Sequence, residues 1–178
     1  ANDYGDGIKG TDNEDRVGPK RTIQSGLITP QQMKKALIIT SLLTLLSAIA
    51  LIYVAFKDHN LLFSFIYLLL GILAIASAIR YTVGNSAYGY RGFGDLFVFI
   101  FFGVVATTGT EFVVAEEFTI AGLVASVAVG CIACSLLVIN NLRDIPGDTV
   151  AEKNTLAVKL GDANTRKFFA ALVILAGL

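Results

Sequence analysis

The chain has 178 residues, of which 54% are hydrophobic and 16% charged, whereas an ordinary soluble domain carries roughly 25% charged residues. So little polar surface argues against a soluble enzyme, and the apolar content with only three prolines excludes disordered and collagen-like chains. Lys+Arg and Asp+Glu both number 14, so no net charge draws nucleic acid, and two cysteines make neither a disulfide framework nor a zinc site.

The chain opens on a polar stretch with no signal-peptide pattern, has its only methionine at Met33 and stops at Leu178 inside an apolar run, so it reads as an internal fragment. Thr29, Pro30 and Gln32 stand in the order of an N-cap, a first-turn proline and a capping-box partner, which predicts a helix from near Pro30. Four stretches then meet the length of about 20 apolar residues that a bilayer requires: residues 36–56, 61–79, 96–115 and 120–139, with a fifth starting at Phe168. None of the four holds a Lys or Arg, and their only acid is Glu111, near a span end. Small residues four apart, Ala74 with Ala78 and Gly103 with Thr107, predict close helix packing. The expected fold class is all-α, a multi-span transmembrane helical bundle.

Very short connections follow the first and third spans, and three long polar segments, residues 1–35, 80–95 and 140–167, occupy the other ends. Alternating spans put the long segments on one side of the membrane. Thirteen of the 14 basic residues lie on them, against Lys57 alone opposite, so the long loops are expected to be cytoplasmic. Any chemistry belongs to that face.

Two constellations there can carry it. The first runs Asn2, Asp3, Asp6, Asp12, followed by Arg16, Lys20 and Arg21; the second runs Asn140, Asn141, Arg143, Asp144, Asp148, followed by Lys153. Carboxylates three or four apart share a helix face. Magnesium takes oxygen ligands and is usually held by one or two carboxylates together with substrate phosphates, so two such clusters with flanking cations suit a metal-bridged diphosphate. Arg16, Arg21, Arg143 and Lys153 are candidates for the negative charge that two Mg²⁺ ions leave uncompensated. Asn140 and Asn141 are read either as oxygen ligands or as helix C-caps, Cys131 and Cys134 as small packing residues, and His59 as lacking a plausible partner.

The order NDYGDGIKGTD from Asn2 to Asp12, then Arg16, RTIQSGLIT, four spans and NNLRDIPGDTVAEKNTLAVKLG resembles the UbiA superfamily of intramembrane aromatic prenyltransferases over nearly the whole chain. The superfamily's first motif usually reads NDxxDxxxD, which would put a third Asp at Gly10; here Asp12 stands two positions later. That variant, with the loop YTVGNSAYGYRGFGD from Tyr81 to Asp95, is similar to the branch acting on 1,4-dihydroxy-2-naphthoate in menaquinone synthesis. Where many relatives carry prolines after YTxG, this chain has Asn85, Ser86 and Ala87.

The resemblance implies a single transmembrane prenyltransferase domain of nine helices, of which residues 1–178 would hold about four and a half, in a bacterial cytoplasmic membrane. It implies Mg²⁺-dependent transfer of a polyprenyl group from polyprenyl diphosphate to the naphthoate, with decarboxylation to demethylmenaquinone. Asp3, Asp6, Asp12, Asp144 and Asp148 would ligate metal. Asn2, Arg16, Arg21, Asn140, Asn141, Arg143 and Lys153 would bind substrate, chiefly the donor, and Tyr81, Tyr88, Tyr90 and Arg91 would meet the aromatic acid or take its proton. Rival readings are another acceptor (4-hydroxybenzoate, homogentisate or a porphyrin), a CDP-alcohol phosphotransferase, which concentrates its aspartates in one motif, and a cation-gated transporter, which places ionisable groups near the bilayer midplane.

Overall fold

The computed structural model describes residues 1–12, 18–56 and 61–177, in two compact units. The first is built from Ala1–Asp12 and Lys20–Asn85, and the second on residues 86–177. Every regular element among the described residues is helical.

In the first unit a short helix α1 (Asn2–Lys9) is followed by α2 (Pro30–Phe56) and α3 (Leu61–Arg80). The capping box expected at Thr29 forms: its hydroxyl accepts from the Gln32 N–H at 3.2 Å, and the Gln32 carboxamide accepts from the Thr29 N–H at 2.9 Å. The helix starts at Pro30 because a missing N–H costs nothing in a first turn. Of α2 and α3 together only Phe56 is buried, its ring 5.1 Å from that of Tyr67. Many of their leucines and isoleucines are exposed, Leu61 to 90%. Such a surface is untenable in water and ordinary in lipid, where association rests on close packing.

In the second unit α4 (Gly94–Val98), a π-helical stretch (Phe99–Val105) and α5 (Ala106–Ala115) form one continuous rod, followed by α6 (Ile120–Val150) and α7 (Leu156–Ala176). Gly103 lies in the π stretch, where a Cβ would come within 2.5 Å of the Gly130 Cα on α6. The small-residue expectation at Gly103 therefore holds, with a second glycine across the contact. Cys131, Cys134 and Val138 of α6 and Leu172 of α7 form the buried apolar cluster, with Phe99, Phe168 and Phe169 against it. The cysteines pack as expected, and the Cys134 thiol also donates to the Asp95 carbonyl at 3.1 Å. Glu111 accepts from the Thr119 hydroxyl at 2.5 Å and occupies the space that Gly122 leaves open, beside the N-terminus of α6.

Four helices are long and apolar enough to cross a membrane: Pro30–Phe56, Leu61–Arg80, Gly94–Ala115 and Ile120–Val150. The fourth runs eleven residues past the apolar stretch and carries Pro146 within it. The fifth apolar stretch belongs to α7, which starts at Leu156 under a Thr155 N-cap and breaks at Gly161, where φ is 73°.

Candidate functional site

The first motif lies on α1. Gly5 faces Thr82, which follows α3 and is fully buried, and a Cβ at Gly5 would stand 2.6 Å from the Thr82 Cβ. Only glycine lets this helix sit so close. Asp6 is buried, Asp3 half-buried and Asn2 exposed at the helix start. Asp3 is held on three sides: Arg21 Nη1 donates to Oδ1 at 2.9 Å, and the Thr22 hydroxyl and N–H donate to Oδ2 at 2.5 and 3.3 Å. Burial by itself would raise the Asp3 carboxyl, but the Thr22 hydroxyl, the Arg21 charge and the Thr22 N–H together hold it below the ordinary 3.8.

Gly10 stands at the position of the superfamily's usual third aspartate. It closes α1 in the left-handed region at φ 72°, and the Thr11 N–H turns back onto the Asp6 carbonyl at 3.1 Å. Glycine adopts this conformation at no steric cost, and the chain runs on to Asp12, which is buried. Arg16, with Glu14 and Asp15, lies outside the described residues, as do Lys57 and His59.

The second motif lies on the polar, C-terminal continuation of α6. The buried residues of α6 are Ser126, Gly130, Cys131, Cys134, Ser135 and Val138 along the span, and Asn141 and Asp148 in the motif, where the buried side chains become an amide and a carboxylate. Because α6 continues to Val150, Asn140 and Asn141 are not helix C-caps; Asn140 is exposed and Asn141 buried. Arg143 grips Asp144 with both ends of its fork, Nε to Oδ1 at 2.6 Å and Nη2 to Oδ2 at 2.7 Å. Lys153 reaches Asp148 at 3.7 Å.

The loop expected to receive the aromatic acid divides between the units. Tyr81 follows α3 in the first, half-buried. Tyr88, Tyr90 and Arg91 form a 3₁₀ turn in the second, closed by Gly92 in the left-handed region at φ 81°. Tyr88 stacks on Phe97 at 4.1 Å, and Phe97 lies 6.2 Å from Phe101, one helical turn further on. Burial pushes the Tyr88 phenol above its ordinary 10, so at neutral pH it is a hydrogen-bond donor and not a base. Arg91 Nη2 donates to the Ser86 hydroxyl at 3.3 Å. Lys153, expected on donor grounds alone, also lies 5.4 Å from the Tyr90 ring centroid. It therefore touches the second motif and the acceptor loop at once.

Among the described residues no three His, Cys, Asp or Glu side chains gather closely enough to hold a metal by themselves. The carboxylates come in pairs along helix faces, Asp3 with Asp6 and Asp144 with Asp148. That set fits Mg²⁺, which takes one or two carboxylates and fills its octahedron with phosphates and water. Each motif also has a cation on a carboxylate, Arg21 in the first and Arg143 and Lys153 in the second. Sequence reasoning missed Thr22, although it adjoins Arg21, and it gave no reason to single out Gly5 or Thr82.

Residues 1–178 match the UbiA prenyltransferase family. The chain is 48% identical over 174 residues to a protein of Escherichia coli (strain K12) described as 1,4-dihydroxy-2-naphthoate octaprenyltransferase, covering 98% of this chain and 56% of that protein. It is 48% identical over 178 residues to a protein of the same description from Mycobacterium tuberculosis (strain ATCC 25618 / H37Rv), covering 100% and 58%, and 43% identical to one from Haemophilus influenzae (strain ATCC 51907 / DSM 11121 / KW20 / Rd), covering 100% and 57%. The chain thus spans rather more than half the length of these relatives. No solved structure matches it. With a family match from first residue to last, the chain belongs to the UbiA prenyltransferase family.

Proposed function

We propose that the protein transfers a polyprenyl group from polyprenyl diphosphate to 1,4-dihydroxy-2-naphthoate, releasing CO₂ and diphosphate and yielding demethylmenaquinone, at the cytoplasmic face of a bacterial inner membrane. The observation that carries this reading is the pairing of motif carboxylates with cations, Asp3 with Arg21, Asp144 with Arg143 and Asp148 with Lys153, in a chain of this family. The description shared by the three relatives supplies the acceptor.

Asp3, Asp6, Asp12, Asp144 and Asp148 would hold Mg²⁺, which supplies positive charge to the departing diphosphate. Arg16, Arg21, Arg143 and Lys153 bind the remaining phosphate charge and stabilise it as the allylic C–O bond lengthens. Asn2, Asn140 and Asn141 offer amide groups beside the carboxylates. The lipid-facing helices keep water from the allylic cation and accommodate its tail, and aromatic faces such as Tyr90 stabilise the positive carbon. Arg91 pairs with the acceptor's carboxylate, while Tyr81 and Tyr88 donate to its oxygens.

The test is incubation of membranes carrying the protein with labelled polyprenyl diphosphate, Mg²⁺ and a panel of 1,4-dihydroxy-2-naphthoate, 4-hydroxybenzoate and homogentisate. Labelled demethylmenaquinone is expected from the naphthoate alone, and product from another acceptor only would refute the assignment. In the same assay Asp144→Asn keeps the size and removes the charge, so turnover should fall at least about 100-fold in a variant that still inserts. Near-normal turnover would remove the second motif from the site.

A further inference from the structure

Lys159 sits in the first turn of α7, directly after the Thr155 cap. A cation there opposes the partial positive charge of the helix N-terminus, so helix formation gives no reason for a lysine at this position. Its ammonium is instead aimed at the acceptor loop. Nζ donates to the Arg91 carbonyl at 2.5 Å and lies 6.0 Å from the Phe93 ring centroid. Between those residues Gly92 holds a positive φ, and a Cβ there would stand 3.0 Å from Lys159 Nζ and 3.2 Å from the Asn154 carbonyl oxygen. The loop is therefore bare at the point where the ammonium enters. One residue earlier the Asn154 N–H donates to the Tyr90 carbonyl at 3.1 Å. Two successive carbonyls of the Tyr88–Arg91 turn are thus tied, one to the segment joining α6 and α7 and one to the first turn of α7.

We propose that Lys159 is a positioning residue for the acceptor: by holding the Arg91 carbonyl it sets the direction in which the Arg91 guanidinium leaves the turn, toward the Ser86 side, and so places the cation that pairs with an aromatic carboxylate. This rests on the functional reading above. Lys159 touches neither substrate in this account, and its effect passes through the main chain at residues 91 and 92. A charge-assisted bond from an ammonium to a carbonyl is among the stronger hydrogen bonds, and its loss frees a turn whose remaining main-chain tie to this segment is the one from Asn154.

The experiment compares Lys159→Met, which keeps the stem and removes the ammonium, with Lys159→Arg, which keeps a charged donor, in membranes with each substrate varied in turn. Lys159→Met should raise the acceptor KM about tenfold and leave the polyprenyl diphosphate KM within about twofold, and Lys159→Arg should recover most of the loss. An unchanged acceptor KM, an equal rise in both KM values, or failure of arginine to restore overturns the proposal. Amide exchange over residues 88–93 gives a readout without turnover: exchange should quicken in Lys159→Met and remain near the parent rate in Lys159→Arg. If the parent protein prenylates no acceptor, the functional reading fails, and exchange alone decides the clamp, equal loop protection in parent and Lys159→Met overturning it.

Discussion

Replacing Gly5 with alanine tests whether the first motif is positioned by the contact of α1 with Thr82. The added Cβ would lie 2.6 Å from the Thr82 Cβ and 2.7 Å from its backbone carbonyl carbon, whereas carbon atoms rest at about 3.5–4.0 Å. Thr82 is fully buried and one of the opposing atoms is backbone, so rotamer changes cannot relieve the clash. Helix α1 must retreat by about 1 Å, at an overpacking cost of about 1–3 kcal/mol. Asp3 rides on that helix two residues before the clash, and a shift of that size breaks its short bonds to Arg21 and Thr22. Misplacing a substrate-positioning group by about 1 Å costs about 100-fold in rate. The assay is prenyl transfer by Gly5→Ala in membranes, with inserted protein quantified and each substrate varied. A loss of about 100-fold in kcat/KM for the prenyl donor is expected, with the acceptor KM near the parent value. Gly10→Asn is the control, since Gly10 has open space around it and asparagine tolerates the left-handed conformation. Donor kinetics for Gly5→Ala equal to the parent's would refute the argument that this glycine sets the motif.

Because the folded Asp3 carboxyl lies below its ordinary value, its pairing contributes stability that is complete above the unfolded pKa and is lost as pH falls through the folded one. Thermal unfolding in detergent should therefore show destabilisation from about pH 4 downward that is weaker in Asp3→Asn, and identical acid limbs would contradict the pairing. Both native cysteines are buried, so single cysteines can be labelled cleanly in intact cells: at residues 58 and 117 they should react with an impermeant reagent, and at residue 14 they should not. Reaction at 14 with protection at 58 and 117 would reverse the orientation.

The spans were legible because each announces itself over some twenty residues with no competing signal, and the Thr29 cap because its chemistry is local. Span ends were less so. Hydropathy drops after residue 139, yet α6 continues to Val150 with Pro146 inside it, since helical hydrogen bonds do not depend on apolar side chains. The same polarity made Asn140 and Asn141 look like terminators, when they are positions inside the helix, one exposed and one buried. Periodicity locates a buried face only when the helix is known to continue.

The part that stayed hidden is the part made by contacts across sequence distance. Gly5 reads as one of 17 glycines until Thr82 stands against it, and Lys159 as one of thirteen cations on the long polar segments until the Arg91 carbonyl meets it. Nothing in the spacing of either pair could reveal the match, because 77 and 68 positions separate them and a hydrogen bond to a main-chain oxygen leaves no mark on the residue that accepts it. Charge placement was the available clue at Lys159: a lysine where a helix prefers acids signals that something else holds it. Lys153 gives the same lesson in reverse. Its sequence neighbours suggest a single role on the diphosphate, but its place between Asp148 and the Tyr90 ring gives it two. Drawing Lys153 toward a bound diphosphate would weaken its hold on Tyr90, so donor and acceptor sites built this way cannot be fully independent. Lys153 substitutions should accordingly alter the KM of both substrates, whereas a change at Lys159, whose ammonium bonds the Arg91 carbonyl, should alter one.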